Sequence, residues 1–164
     1  MTNAYYKRQR AERRNEEMRA KEFSFPIAVE WLGDTRVATR IDGKREIETS
    51  SPPEFRGTDA TIWSPEDFFV AAAASCLAIT LAGIAERRGL PLHGLKVSGD
   101  GAVGRRDDGQ FGFKSISLRV AVKTDAGSEQ LAREVAQRAE EGCLVTVSLS
   151  LPVELEVVVE TAPA

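Results

Sequence analysis

A chain of 164 residues, 42% hydrophobic and 29% charged, has the size and make-up of one soluble globular domain and excludes a disordered or collagen-like polymer. Twenty-two basic against 25 acidic residues, a net charge of −3, argue against non-specific nucleic-acid binding. One His and two Cys exclude a disulfide-rich scaffold and leave too few donors for a structural zinc site.

The charge is unevenly placed. Residues 1–22 carry seven basic and four acidic side chains, and the remaining 142 carry a net −6. The first segment reads as a solvated helical arm or frayed tail, free to touch a partner or an anionic surface, ahead of a single domain over 23–164. It has no long apolar stretch of the kind a secretory signal needs. The sequence therefore points to the reducing cytoplasm, where paired cysteines are more often catalytic or redox-sensing than structural.

In chain order, Phe25 to Trp31 reads as a first strand. Gly33-Asp34 signals a turn, Thr35 to Ile41 a second strand, Asp42-Gly43 a hairpin turn and Lys44 to Glu48 the returning strand. A loop rich in breakers follows, with Ser50, Ser51, Pro52, Pro53 and Gly57, and such loops often carry function. The clearest helix begins at Ser64, a good N-cap, with Pro65 at the first helical position and Glu66 and Asp67 at the positive end of the dipole. It ends with Arg87, Arg88 and a Gly89 stop, and Pro91 blocks its resumption. Phe68 to Ala85 is uncharged and long enough to span a bilayer. However, seven of these residues are the weakly apolar Ala, no second such segment exists, and the reading is a central helix buried on all sides rather than a membrane span.

Leu95 to Val103 and Phe111 to Val122 form a long hairpin around Arg105 to Gly109. Ile116, Leu118, Val120 and Val122 alternate with Ser115, Ser117, Arg119 and Ala121, so one face is apolar. Ser128 caps an amphipathic helix from Glu129 to about Glu141 with the stripe Leu131, Val135, Ala139, stopped at Gly142. Pro152 to Glu160 is a last strand. The order of elements gives an α+β fold.

Cys76 lies in the middle of the long helix and Cys143 just past the end of the second. A free Cys commonly serves only as a small buried hydrophobe, and spacing alone does not bring the two together. The segment from Ser64-Pro65-Glu66-Asp67 through Ala71-Ala72-Ala73-Ala74-Ser75-Cys76 resembles the OsmC/Ohr family of osmotically inducible and organic hydroperoxide resistance proteins. Its marks are Pro-Glu at a helix start, a small-residue helix with a Cys ten residues after the Glu, and a second Cys after a later helix. The pattern of elements matches over roughly 25–160.

That resemblance implies an α+β fold of antiparallel sheets around a long central helix, in an intertwined homodimer with two active sites at its interface. It implies a thiol peroxidase for organic hydroperoxides, with Cys76 attacking, Cys143 resolving, and Glu66 and an Arg assisting. The Arg it implies is Arg56, in the loop before Pro-Glu as in the OsmC branch, in preference to Arg36, the counterpart on the Ohr pattern. The resemblance implies no bound cofactor, an external dithiol reductant (a lipoyl group or a small thiol), and no nucleic-acid or membrane partner.

The chemistry accounts for these residue types. Only a thiolate attacks the O–O bond, and a free Cys titrates too high to be ionised at neutral pH. Cys76 lies too far from the helix start for the dipole to act. A neighbouring Arg is always charged, and Glu66 would orient it by a bidentate pair. The resulting sulfenic acid condenses with the second thiol, and exchange with a dithiol restores both. Ten residues along a helix is about 15 Å, so Glu66 and Cys76 of one helix cannot touch. Arg56 must bridge from its loop, or a second subunit must contribute.

Two departures from the family pattern stand out: Leu144 replaces the usual Pro after the second Cys, and the charged arm is additional. The alternative of another class is a non-catalytic OsmC-like protein that holds a hydrophobic ligand at the dimer interface. Trp31, Trp63, Phe68 and Phe69 read as core or interface residues able to line such a pocket, and His93 as a loop residue rather than a general base.

Overall fold

The computed structural model describes residues 22–161; the charged arm, apart from Glu22, lies outside the described residues. The elements are β1 (Ala28–Gly33), β2 (Arg36–Arg40), β3 (Ile47–Ser50), a 3₁₀ turn (Pro53–Phe55), α1 (Pro65–Arg88), β4 (Gly94–Arg105), β5 (Phe111–Thr124), α2 (Glu129–Gly142), α3 (Leu144–Val147) and β6 (Val153–Thr161). They form two compact units divided between Glu48 and Thr49.

In the first unit β1 and β2 are antiparallel, and the sheet order is β1-β2-β3. β1 starts at Ala28, three residues later than the apolar pattern suggests, and β3 begins at Ile47 because Lys44 closes a turn onto the Ile41 carbonyl at 3.0 Å. Phe25, Ile27, Val29 and Trp31 are all largely exposed in the single chain. Ion pairs run from Arg36 to Glu48 and from Arg40 to Glu30 and Glu46; Glu30 alternates with Val29 and Trp31 along β1 and so lies on the opposite face.

In the second unit the sheet order is β4-β5-β6. β4 and β5 are the expected antiparallel hairpin, but β6 joins β5 in parallel, so the expectation of purely antiparallel sheets is corrected. A parallel neighbour requires a crossover, and α2 and α3 supply it. Ile116, Leu118, Val120 and Val122 are buried as the alternation predicts. They form the floor of the core with α2's Ala132, Val135, Ala136 and Ala139.

α1 has the ends read from its sequence. Ser64 Oγ accepts from the Asp67 N–H at 3.1 Å, the Ser64 N–H donates to Asp67 at 2.8 Å, and Gly89 takes the left-handed C-cap. Its burial differs from expectation. Ala73, Leu77, Leu81 and Ala85, one residue per turn, are the buried positions, whereas Ile79 is 74% exposed. Only 22% of its most apolar 18-residue window is buried in the single chain. A helix apolar on every face is here covered on one.

The buried stripe brings α1 close to the sheet. An ideal Cβ on Gly101 would stand 2.6 Å from the Phe113 ring and 2.7 Å from a Val70 methyl, and one on Gly99 would stand 2.8 Å from Leu118. Gly101→Ala is expected to cost about 1–3 kcal/mol through overpacking. Val70→Ala in the same chain should recover part of that loss, read as urea midpoints of the two variants and their combination.

Candidate active site

Cys76 lies on α1 at the border between the buried stripe and the exposed face formed by Ala72, Ser75, Ile79 and Ala82. It is half-buried, while Cys143 is fully buried; both are free thiols. Cys143 ends α2 and starts α3 in extended conformation (φ −74°, ψ 109°). One turn beyond Cys76, the Thr80 methyl lies beside Gly142, so the flank of α1 that carries Cys76 faces the α2–α3 junction. The Cys76 thiol lies beside Cys143 and is one of the groups that hold it below its ordinary range. Two residues 67 positions apart are thus brought together, which their spacing did not show.

Burial pushes the Cys143 thiol up, but its polar neighbours Thr146, Cys76 and Val145 outweigh it and hold the thiol below its ordinary value of about 9.0. The Thr146 hydroxyl donates to the Cys143 carbonyl at 3.2 Å. Thr146 and Val145 did not emerge from the sequence. The available signal was a Thr three residues after a Cys that caps a helical turn, the spacing of a capping residue and its third helical position.

The loop before α1 is closed tightly. The N–H groups of Phe55 and Gly57 donate to the Pro52 carbonyl at 2.9 and 3.0 Å. A Cβ on Gly57 would fall 1.7 Å from the Ser51 carbonyl oxygen, so only glycine closes this loop. Phe55 anchors the loop edge-on to Phe111, with ring centroids 6.0 Å apart. Arg56 follows in the left-handed region (φ 74°), an uncommon place for a residue with a Cβ. Its side chain is exposed and has no hydrogen-bond or ion-pair partner among the described residues. Arg36, by contrast, is held by Glu48.

Glu66 lies in the first turn of α1 and lines a cleft of about 620 Å³ with Trp63, Val70, Val97, Val103 and Phe113. Its Oε2 is buried without a hydrogen-bond partner, an arrangement that costs about 1–3 kcal/mol when left unrelieved. Within one chain the structure joins Cys76 to Cys143 but not Glu66 to Arg56, and α1 runs unbroken between Glu66 and Cys76. His93 is exposed and pairs with Asp125 at 2.6 Å. Among the described residues no three His, Cys, Asp or Glu side chains gather as a metal site.

Residues 57–158 match the family of OsmC-like proteins. The chain belongs to that family. The uncharacterized protein YmaD of Bacillus subtilis (strain 168) is 29% identical to this OsmC-like chain over 136 residues, 80% of this chain and 90% of YmaD. An OsmC-like protein of unknown function from Vibrio cholerae has a similar structure, with a TM-score of 0.77 at 20% identity, covering 84% of this chain and all of its own. An organic hydroperoxide resistance protein from Elizabethkingia anophelis gives a TM-score of 0.69 at 17% identity, covering 87% of this chain and all of its own. At such identities these two structures establish the OsmC-like fold.

Two expectations follow from the Cys143 environment. The native state binds fewer protons at this thiol than the unfolded chain does, so stability rises with pH from the lowered native value up to about 9.0. The melting-temperature gap between wild type and Cys143→Ala should therefore widen as pH rises through that window and then level off. Leu144, 75% exposed, occupies the first position of α3, where the N–H has no intrahelical partner, and Cys143 before it is already extended. Leu144→Pro should thus change stability by less than about 1 kcal/mol, measured by chemical denaturation.

Proposed function

We propose that this chain is a thiol-dependent peroxidase for organic hydroperoxides, in which Cys76 attacks and Cys143 resolves. The observation that carries the reading is the nearness of a half-buried thiol, Cys76, to a fully buried one, Cys143, whose surroundings hold it below its ordinary range. The Cys76 thiolate takes the terminal peroxide oxygen and the organic alcohol leaves, giving a sulfenic acid on Cys76. Cys143 then displaces that oxygen as water and a disulfide forms. An external dithiol, a lipoyl group or a small thiol, restores both cysteines without a bound cofactor.

Arg56 is the cation assigned to Cys76, in preference to Arg36. Support comes from its unpartnered guanidinium, from the Glu48 ion pair that holds Arg36, and from the unmatched Glu66 oxygen, which a guanidinium would satisfy. Since neither Arg56 nor Glu66 joins Cys76 within one chain, the reading includes a homodimer whose second copy covers the exposed face of α1 and completes the site. It also includes a cytoplasmic location with no nucleic-acid or membrane partner. The second reading, a non-catalytic protein holding a hydrophobic ligand, is favoured by the cleft beside Glu66, whose lining residues include neither cysteine.

Intact mass after denaturing alkylation, before and after one equivalent of cumene hydroperoxide, separates the two. Loss of two alkylatable thiols in wild type, and a trapped sulfenic acid on Cys76 in Cys143→Ser, is the expected result. If both thiols stay alkylatable the peroxidase reading fails and the binding reading takes its place. Arg56→Met should slow the first thiol's loss by about tenfold or more, and by more than Arg36→Met does, measured by stopped-flow oxidation of the reduced protein.

A further inference from the structure

The loop between β3 and α1 is tied through its backbone. At its base the Ser50 N–H donates to the Trp63 carbonyl at 3.1 Å. At its head three N–H groups turn inward: Phe55 and Gly57 donate to the Pro52 carbonyl at 2.9 and 3.0 Å, and Arg56 donates to the Pro53 carbonyl at 3.2 Å. Farther along, the Asp59 carboxylate accepts from the Thr61 N–H and hydroxyl at 2.9 and 2.6 Å. The Arg56 guanidinium takes no part in these bonds.

Arg56 stands at φ 74°, ψ 13°. A residue that served only to make this turn would be Gly or Asn, because a Cβ is disfavoured there. Glycine is instead the next residue. A Cβ on Gly57 would meet only backbone: the Ser51 carbonyl oxygen at 1.7 Å, its carbon at 2.6 Å and the Pro52 carbonyl carbon at 2.9 Å. Backbone cannot swing aside as the end of a side chain can, so any side chain at 57 opens the head of the loop. The bonds from the Arg56 and Gly57 N–H groups bracket Arg56, and together they set the direction in which its Cα–Cβ bond leaves the loop.

We infer that Gly57 is a positioning residue for the reaction of Cys76: by closing the head of the loop it holds Arg56 in the left-handed conformation that aims its guanidinium. The inference rests on the reading of Arg56 as the cation of Cys76. It gives the disfavoured backbone at Arg56 a purpose, because the side chain gains a fixed direction without a partner of its own. A cation aimed by its backbone needs no ion pair to hold it and stays free for the thiolate. Aim matters to rate, since a misplacement of about 1 Å can cost about a hundredfold.

The test follows Cys76 oxidation by cumene hydroperoxide in wild type, Gly57→Ala, Arg56→Gly and the double variant. Each is run with and without millimolar guanidinium chloride, far below denaturing levels, and melting curves check that each is folded. Gly57→Ala is expected to slow the reaction about tenfold, to the rate of Arg56→Gly, and the double variant should be no slower than Arg56→Gly alone. Added guanidinium should restore part of the rate in both single variants, which a merely structural loss would not allow. If Gly57→Ala melts too low to assay, Phe111→Leu takes its place. It removes the ring that holds Phe55 at 6.0 Å and leaves the backbone of the turn alone; a slowing that guanidinium relieves is again expected. A Gly57→Ala (or Phe111→Leu) rate equal to wild type, a slowing that adds to that of Arg56→Gly, or one that ignores guanidinium would overturn the inference and leave Arg56 as the cation. An Arg56→Gly rate equal to wild type would remove Arg56 from the reaction and the inference with it. No oxidation of Cys76 in wild type would remove the peroxidase reading as well.

Discussion

The structure of the second unit depends on a single stripe along α1. Ala73, Leu77, Leu81 and Ala85 recur every four residues and are essentially without exposure. They fix the rotation of a helix that is otherwise apolar on every side and has no charge pattern of its own to orient it. Small side chains on the stripe, with Gly99 and Gly101 opposite Val70, let the helix lie close to the sheet. That rotation then decides where the chemical groups of α1 itself lie. It puts Glu66 beside the cleft, Cys76 on the border of the covered face, and Ile79 in the open.

The same rotation explains why the parts of the site divide as they do. Glu66 and Cys76 share one rigid rod and are held apart by it. Cys143 is delivered from the other direction, by the crossover that returns the chain from β5 to β6. Arg56 comes from a third element, a loop pinned by Gly57 and by the Phe55–Phe111 ring contact. Within one chain only the cysteines meet. The exposed apolar surface of α1 and the unmatched Glu66 oxygen are two places where a single copy leaves hydrophobic and hydrogen-bonding capacity unused.

Much of the fold was legible in the sequence because its signals are local. Ser64, Pro65 and Gly89 mark the ends of α1 by capping chemistry, and the alternation from Ile116 to Val122 marks β5. The start of β1 was misread because Phe25 and Ile27 have the right side chains without a paired backbone. The parallel β6 was misread because strand direction is set by the crossover and leaves no mark on the strand's own residues. Full burial of α1 was misread because composition reports how apolar a helix is, not how much of one chain is available to cover it. The cysteines could be named from a motif, but their contact is a long-range property. Val145 and Thr146, the polar neighbours of Cys143, belong to a single helical turn too short to have a period.

The parallel pairing of β5 with β6 has a consequence for when the thiol pair exists. Parallel strands close only after the intervening chain has been ordered, and such non-local contacts form late relative to local ones. The crossover that carries Cys143 is held between α1 on one side and β6 on the other. Before the last strand is seated the two sulfurs meet only by random closure of the chain between them; the fold sets them side by side once the crossover is packed.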